Sequence, residues 1–454
     1  MAGMAGWQQG QTVELTINDL SNRGDGVGRW DDRVVFVADT VPGDRVRSRL
    51  THIKPTHGFG KLLEVLEPSP QRVRPACIVA DKCGGCQWQQ VAYAAQLAAK
   101  HQQIIEALQR IGGLTDILVE PVLAAEPLAY RNKATYPLAR SSNGTVKAGY
   151  YRKRSHQLIN LNQCPVQDTR LDPLLVSVKQ DIQNRGWSLY DETKHRGKLR
   201  HLSLRIGHHT GQILLTLVST EPLKDLDTQA QQWLENYPDI VGVCLNLNAA
   251  KTNAIFGPKT DCVAGQLHLE ETFVGLRFQI RPTTFFQINT VQAERLVQAM
   301  LTELNLQGTE TLVDVYCGVG TLTLPLAQRA ARCIGIESQP EAVIQAQQNA
   351  TLNNLQNTNF YVGKAEIRLA ELLESGIRPD IVVLDPPRKG CDPAVLSALL
   401  QLRPERIAYM SCNPTTLARD LKLLCEAGYR LTKVQPADFF PQTAHVECVA
   451  FLVV

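Results

Sequence analysis

Leu312-Val313-Asp314-Val315-Tyr316-Cys317-Gly318-Val319-Gly320 is a short apolar run that carries an acid and breaks into a glycine loop. An apolar strand, a pair of glycines and then a helical pattern form the opening unit of a doubly wound α/β sheet. Glycines at that point let the main chain and a helix N-terminus crowd a ligand. The continuation, Gly320-Thr321-Leu322-Thr323, lacks the third glycine of a dinucleotide fingerprint. No Gly-Lys-Ser/Thr is present, which excludes a P-loop. Downstream the pattern alternates: helix at 322–329, strand at 333–336, helix at 341–353, strands at 381–384 and 407–411, helix at 415–427. That alternation predicts a parallel sheet with helices on both faces. Upstream, Val291, Leu296, Val297, Met300, Leu301 and Leu304 mark one face of a helix.

Chemistry-bearing residues fall where these strands end. Glu337 closes the strand after the glycine loop, 23 positions beyond Asp314. An acid there suits hydrogen bonding to ribose hydroxyls. Asp385-Pro386-Pro387-Arg388 and Ser411-Cys412-Asn413-Pro414 end two later strands, on the edge of the sheet where ligands bind. Methyltransferases of exocyclic amines follow a similar Asp-Pro-Pro turn with an aromatic that stacks on the base. Arg388 stands there instead, against that reaction. A nucleotide-cofactor loop, a thiol and a late carboxylate suggest covalent methyl transfer to a pyrimidine ring. C5 of uracil is a poor nucleophile until a thiolate adds at C6, and a base must afterwards remove the C5 proton. Cys412 is the candidate thiol, and the helix starting near Pro414 is expected to lower its pKa. Glu447 is the candidate base. Cys391 and Cys317 are rival thiols, and a free cysteine is often simply a core residue.

Further from the glycine loop the chain changes character. Short β-like runs separated by turns fill 8–67 and predict a small barrel. Its charge is nearly balanced, ten Lys and Arg against nine Asp and Glu between Gln11 and Pro75. A proline-bounded linker at 68–75 follows. Cys77, Cys83, Cys86 and Cys164 then give a C-x5-C-x2-C set with a distant fourth, a donor set that suits zinc or an iron–sulfur cluster. Residues 91–111 read as a helix stopped by Gly112-Gly113. The segment 76–285 mixes strands and helices in an order the pattern does not give. Between Arg131 and Gly211 it holds 15 Lys and Arg against five Asp and Glu, a basic stretch that attracts polyanions unless it is merely a solvated face. The net charge of +3 and 44% apolar content are those of an ordinary soluble protein of several domains. No 18-residue apolar run and no signal-peptide pattern is present, so a cytoplasmic protein with reduced thiols is expected.

Phe285-Phe286-Gln287-Ile288-Asn289, Asp314 to Gly320, Asp385 to Gly390, Ser411 to Pro414, and Phe440-Pro441-Gln442-Thr443-Ala444-His445-Val446-Glu447 occur in that order. Together they resemble the S-adenosylmethionine-dependent RNA uracil-5-methyltransferases over nearly the whole chain. The resemblance implies a Rossmann-like methyltransferase sheet at 286–454 closed by an antiparallel hairpin, with Val449-Ala450-Phe451-Leu452-Val453 as its last run. It implies Cys412 as nucleophile and Glu447 as base, with Gln287, Tyr316, Glu337 and Asp385 on S-adenosylmethionine. It also implies a [4Fe–4S] cluster on Cys77, Cys83, Cys86 and Cys164, with zinc as the alternative. The N-terminal barrel resembles the RNA-binding TRAM domain. The related cytosine-5 enzymes carry Pro-Cys where this chain has Pro387-Arg388, which favours uracil. The expected substrate is structured RNA, large-subunit (23S) ribosomal RNA first and transfer RNA second, acted on by a monomer. A non-catalytic RNA-binding or ribosome-assembly factor on the same fold is the alternative from another class.

Overall fold

The computed structural model describes residues 7–454. Five strands, Thr12–Leu20, Gly26–Trp30, Arg33–Val37, Arg45–Ile53 and His57–Glu67, close into a barrel. Strict alternation drives it. Val13, Leu15 and Ile17 point inward with Val35, Val37, Val46 and Leu50, and the residues between them face out. A closed barrel leaves no unpaired sheet edge. This is the barrel anticipated from the short runs.

The middle of the chain builds a seven-stranded sheet. Its order is Lys259–Gly265, Ile240–Leu247, Ile213–Ser219, Leu199–Ile206, Lys133–Arg140, Val146–Tyr151, Leu158–Asn160. Helices Leu171–Arg185 and Leu226–Asn236 cover one face through Leu171, Leu174, Leu175, Val178, Ile182 and Trp233.

The C-terminal sheet has eight strands. From one edge they run Thr358–Val362, Arg332–Glu337, Thr311–Val315, Ile381–Leu384, Arg406–Ser411, Glu447–Val453, Arg430–Ala437 and the two-residue Leu118–Val119. The first five are parallel and Glu447–Val453 is antiparallel to both its neighbours. Val313, Val315, Ile334, Ile336, Val382 and Leu384 are buried on one face, and Leu312, Cys333, Ile381 and Val383 on the other. Both faces are covered, so the central strands are apolar runs without alternation.

Packing crosses the boundary drawn at residue 285. Helix Tyr93–Ala107 continues as a π-helical turn, Leu108–Gly112, capped by Gly113 at φ 67°. Ile104, Ala107 and Leu108 join the core on one face of the C-terminal sheet. Hairpin Leu269–Phe273 and Leu276–Ile280 packs into the core on the other. No helix among the described residues is long and apolar enough to cross a membrane.

Candidate active site

Four parallel strands end side by side and deliver Tyr316, Glu337, Asp385 and Cys412 to one edge of the sheet. The glycine loop turns back over that edge. Tyr316, Gly318 and Gly320 all adopt positive φ, at 75°, 55° and 89°. A tyrosine held in that region is strained, a hallmark of functional loops. Tyr316 and Cys317 donate their N–H groups to the Ile336 carbonyl, and Glu337 accepts from the Gly318 N–H at 3.2 Å and the Gln339 N–H at 2.8 Å. A Cβ at Gly318 would meet nothing within 4 Å, so backbone conformation alone demands the glycine and the space beside it is open. An acid, a strained aromatic and open space around a bare backbone suit a nucleoside-bearing cofactor.

Asp314 does something else. Its carboxylate is wholly buried, accepts the Thr323 hydroxyl at 2.5 Å and leaves Oδ1 without a partner. Burial pushes it up to about 7, with Glu337 adding to the rise. It ties the strand to the helix beyond the loop. Gln287 comes from outside the sheet, in the segment entering helix Thr290–Leu304, where Asn132 donates to its backbone carbonyl at 2.8 Å.

The antiparallel register explains how residues 35 positions apart come together. Ser411 pairs with Cys448, and each earlier residue of Arg406–Ser411 pairs with one later residue of Glu447–Val453. Cys412 follows Ser411 and Glu447 precedes Cys448, so the two lie at the same end of the paired strands, close enough for Glu447 to raise the Cys412 thiol. Cys412 is half-buried, whereas Cys391 and Cys317 are 3% and 4% exposed. Cys391 is enclosed with Tyr409 and Asp420: its N–H donates to Asp420, which also takes the Tyr409 hydroxyl at 2.6 Å. Both rival thiols belong to the core.

The expected lowering of the Cys412 pKa is not what the site produces. Asn413 caps helix Pro414–Glu426, its side chain accepting from the Thr415 N–H. Yet Cys412 is pushed up to about 11, by burial first and then by Glu447 and Asp385; Arg388 pulls the other way. Burial and Asp385 also hold Glu447 well above the ordinary carboxylate range, again opposed by Arg388. Asp385 itself rises to about 7 through burial and the charge of Asp314. Desolvation plus the two neighbouring acids outweighs a helix terminus. Burial thus disfavours the charged forms of both the Cys412 thiol and the Glu447 carboxyl, and Arg388 is the cation that opposes both shifts. A cysteine attacks as its thiolate. Adduct formation should accordingly accelerate about tenfold per pH unit from pH 6 to 9, as the thiolate fraction grows below a pKa near 11. A rate that stays flat across that window in a single-turnover assay would mean the thiol is already ionised.

A cleft of about 780 Å³ opens over Cys412. Its floor is Arg388, Cys412, Asn413 and His445, and its walls are helix Tyr93–Ala107 and the barrel through Asp19 to Arg23, Val27, Val34 and Phe36. Arg388 reaches the His445 ring at 3.3 Å. The segment before Glu447 is tightly held. Lys100 donates to Asp438 at 2.5 Å and to the Phe440 carbonyl at 3.1 Å, and Gln96 pairs with Gln442 through both its amide atoms. Lys100 and Asp438 are both fully buried. Burial pulls the lysine down and pushes the carboxyl up, so neither tolerates losing its partner. Lys100→Met should cost about 3–5 kcal/mol in chemical denaturation, because it strands a buried carboxylate. A loss below about 1 kcal/mol would show that Asp438 relaxes to solvent.

Cys77, Cys83, Cys86 and Cys164 line one cavity of about 160 Å³, shared with Tyr130, Arg131 and Tyr150. All four are free thiols. Burial raises Cys164 to about 12, and the other three thiols add to it. Among the described residues, no three His, Cys, Asp or Glu side chains are grouped as the ligands of a metal ion. Four soft donors around one pocket beside an Arg nonetheless fit a thiolate-bound, anionic inorganic group.

The basic stretch is less of a surface than its composition implies. Arg205 is buried and donates to the Arg281 and Thr284 carbonyls, Arg200 to those of Asn248, Ala250 and Thr252, and Lys179 to Leu161. These cations hold loops onto the central sheet, so charge counting along the chain overstates what RNA could touch. Arg388 and His445 lie in segments the sequence singled out, but their contact at the cleft was not legible there, and Arg131 at the thiol cavity belongs to no motif.

Comparison with known proteins agrees with this geometry. The sequence profile of the tRNA (uracil-5-)-methyltransferase family matches residues 92–454, and that of the TRAM domain matches residues 6–63. The chain belongs to the tRNA (uracil-5-)-methyltransferase family. It is an S-adenosylmethionine-dependent RNA uracil-C5 methyltransferase with an N-terminal TRAM barrel. An uncharacterized RNA methyltransferase of Nostoc sp. is 59% identical, over 98% of this chain and 97% of its own length. Another, from Halalkalibacterium halodurans, is 41% identical over 97% and 96%. Among solved structures, the Pyrococcus abyssi tRNA (uracil-54, C5)-methyltransferase in complex with S-adenosyl-L-homocysteine aligns with a TM-score of 0.78. Its identity is 28%, over 97% of this chain and 100% of that one.

Proposed function

We propose that Cys412 attacks C6 of a uridine in RNA and that Glu447 removes the C5 proton. The observation that carries this reading is the pairing of Ser411 with Cys448, which brings Cys412, on the floor of the cleft, beside the buried Glu447. S-adenosylmethionine, when bound, supplies the methyl group. Tyr316, Glu337, Asp385 and Gln287 would hold it, Glu337 from the strand end beside the glycine loop. Arg388 favours the thiolate of Cys412 and then the carboxylate of Glu447 as each proton leaves. Thiolate addition at C6 makes C5 nucleophilic. After methyl transfer, Glu447 takes the C5 proton, the C5–C6 bond regains its double character and the thiolate leaves.

The substrate read from the architecture is structured RNA, with large-subunit ribosomal RNA as the first choice and the cytoplasm as the site of action. The target base must be splayed out to reach the floor of the cleft. Transfer RNA is the second reading, favoured by the printed name of the matching Pyrococcus structure. Deleting the gene and mapping 5-methyluridine decides between them. Loss at one ribosomal position supports the first reading, and loss confined to transfer RNA replaces it.

The four thiols are read as ligands of a [4Fe–4S] cluster. Support comes from the four-sulfur donor set and from a cavity larger than a single ion needs. Anaerobically purified protein should be brown, with iron and acid-labile sulfide in equal amounts. A colourless preparation containing zinc would overturn the assignment.

A further inference from the structure

The TRAM barrel has two unlike outer faces. On one, Glu14 pairs with Arg45 and Arg47 at 3.2 and 2.9 Å, and Glu64 and Glu67 pair with the same arginines at 2.6 Å. That face is neutralised by its own charges. The other carries rings. Val35 and Val37 point inward, so Phe36 between them points out; Gly58 and Gly60 are buried, so His57 and Phe59 point out. The register then lines the rings up. Phe59 pairs with His52 on one side and Phe36 on the other, and Phe36 pairs with Val27. The result is a row across four strands, His52–Phe59–Phe36–Val27. Phe36 and Phe59 stack at 5.5 Å and 28°, His52 lies 6.1 Å from Phe59, and His57 stands edge-on to both phenylalanines.

Strand propensity accounts for an isolated outward aromatic. It does not account for four contiguous rings on the open face of a small barrel. Nor is the row isolated from the reaction centre. Val27 and Phe36 line the cleft that has Cys412 on its floor. At the other end, His52 and Phe59 line a second cavity of about 550 Å³ with Lys153 and Arg154, which are paired there with Asp39 and Asp25. Arg23 borders both cavities, and neither it nor Lys54 beside the row has an acidic partner among the described residues. Rings that offer π-faces, unpaired cations along them and continuity with the reaction centre match a single-stranded nucleic acid.

We propose that the His52–Phe59–Phe36–Val27 row is a stacking platform for unpaired nucleotides adjoining the target uridine, so that the RNA enters the cleft as a single strand laid across the barrel. This rests on the reading of RNA as substrate and adds to it that the target is flanked on one side by unpaired bases.

The test uses the full chain and a fluorescent single-stranded oligouridylate, with an RNA duplex of the same length for comparison. Phe36→Ala with Phe59→Ala should weaken single-strand binding roughly ten- to a hundredfold, and the exposed His52→Ala several-fold. Glu64→Gln on the salt-bridged face should change it less than twofold. Both aromatic variants should melt near the wild type, because neither touches the inward residues. Binding by the double variant within twofold of wild type overturns the platform, as does a wild-type protein that prefers the duplex. Methylation of unmodified ribosomal and transfer RNA is measured in parallel. A wild-type protein that forms no 5-methyluridine yet keeps ring-dependent binding refutes the catalytic reading alone. An unchanged KM in the double variant refutes the platform alone.

Discussion

Cys412→Ala should abolish 5-methyluridine formation, lowering the single-turnover rate by at least about 10⁴-fold while S-adenosylmethionine binding stays within about twofold. The size of the loss follows from what the thiol supplies. Without addition at C6 no carbanion equivalent develops at C5, and no neighbouring group can substitute. Cys391 is buried against Tyr409 and Asp420, and Cys317 is packed beneath the glycine loop. The substitution is small and the position is half-buried at the edge of the sheet, so the fold should survive. Residual methylation above about 1% of wild type would remove Cys412 from the reaction.

Glu447→Gln should separate the two halves of the reaction. Attack and methyl transfer need no base at C5, whereas release does. The variant should accumulate a covalent RNA–protein adduct visible on a denaturing gel, with turnover reduced about 10²–10⁴-fold. The geometry adds a second expectation. Glu447 is one of the acids that raise Cys412, so its neutral amide should bring the thiol pKa down from about 11. The variant should thus form the adduct faster than wild type at neutral pH, even as it fails to release it. A variant that turns over normally and leaves no adduct would refute the base role, and one that forms adduct more slowly at every pH would refute the electrostatic coupling.

Most of the C-terminal architecture was legible because its periodicities are strong. The strand at 381–384 was read at its observed limits, and those at 333–336 and 407–411 within two residues. The edge strand Thr358–Val362 was not read. Its five residues, Thr-Asn-Phe-Tyr-Val, form a short run whose Phe, Tyr and Val are not buried, and it lacks the unbroken apolar run of Ile381–Leu384. The order of the central sheet was equally hidden, since it depends on which strands meet across long connections. The motifs brought Cys412 and Glu447 to notice, but their juxtaposition depends on a register no spacing reveals. The electrostatic reading from sequence erred at Cys412. A helix terminus is visible as Asn413-Pro414, while the burial and the carboxylates of Glu447 and Asp385 that outweigh it appear only in three dimensions. The same limit applied to the basic stretch, where Arg200 and Arg205 proved to be internal struts.

RNA in which uridine is replaced by 5-fluorouridine offers the most direct test of the central claim. Fluorine cannot leave C5 as a cation, so the base has nothing to remove and the reaction should stop after methyl transfer. Incubating the wild-type protein with this RNA and S-adenosylmethionine, then digesting and mapping by mass spectrometry, should find a methylated fluorouridine bonded to the peptide containing Cys412. An adduct on any other residue, or no adduct from a protein that converts ordinary uridine to 5-methyluridine, would contradict it.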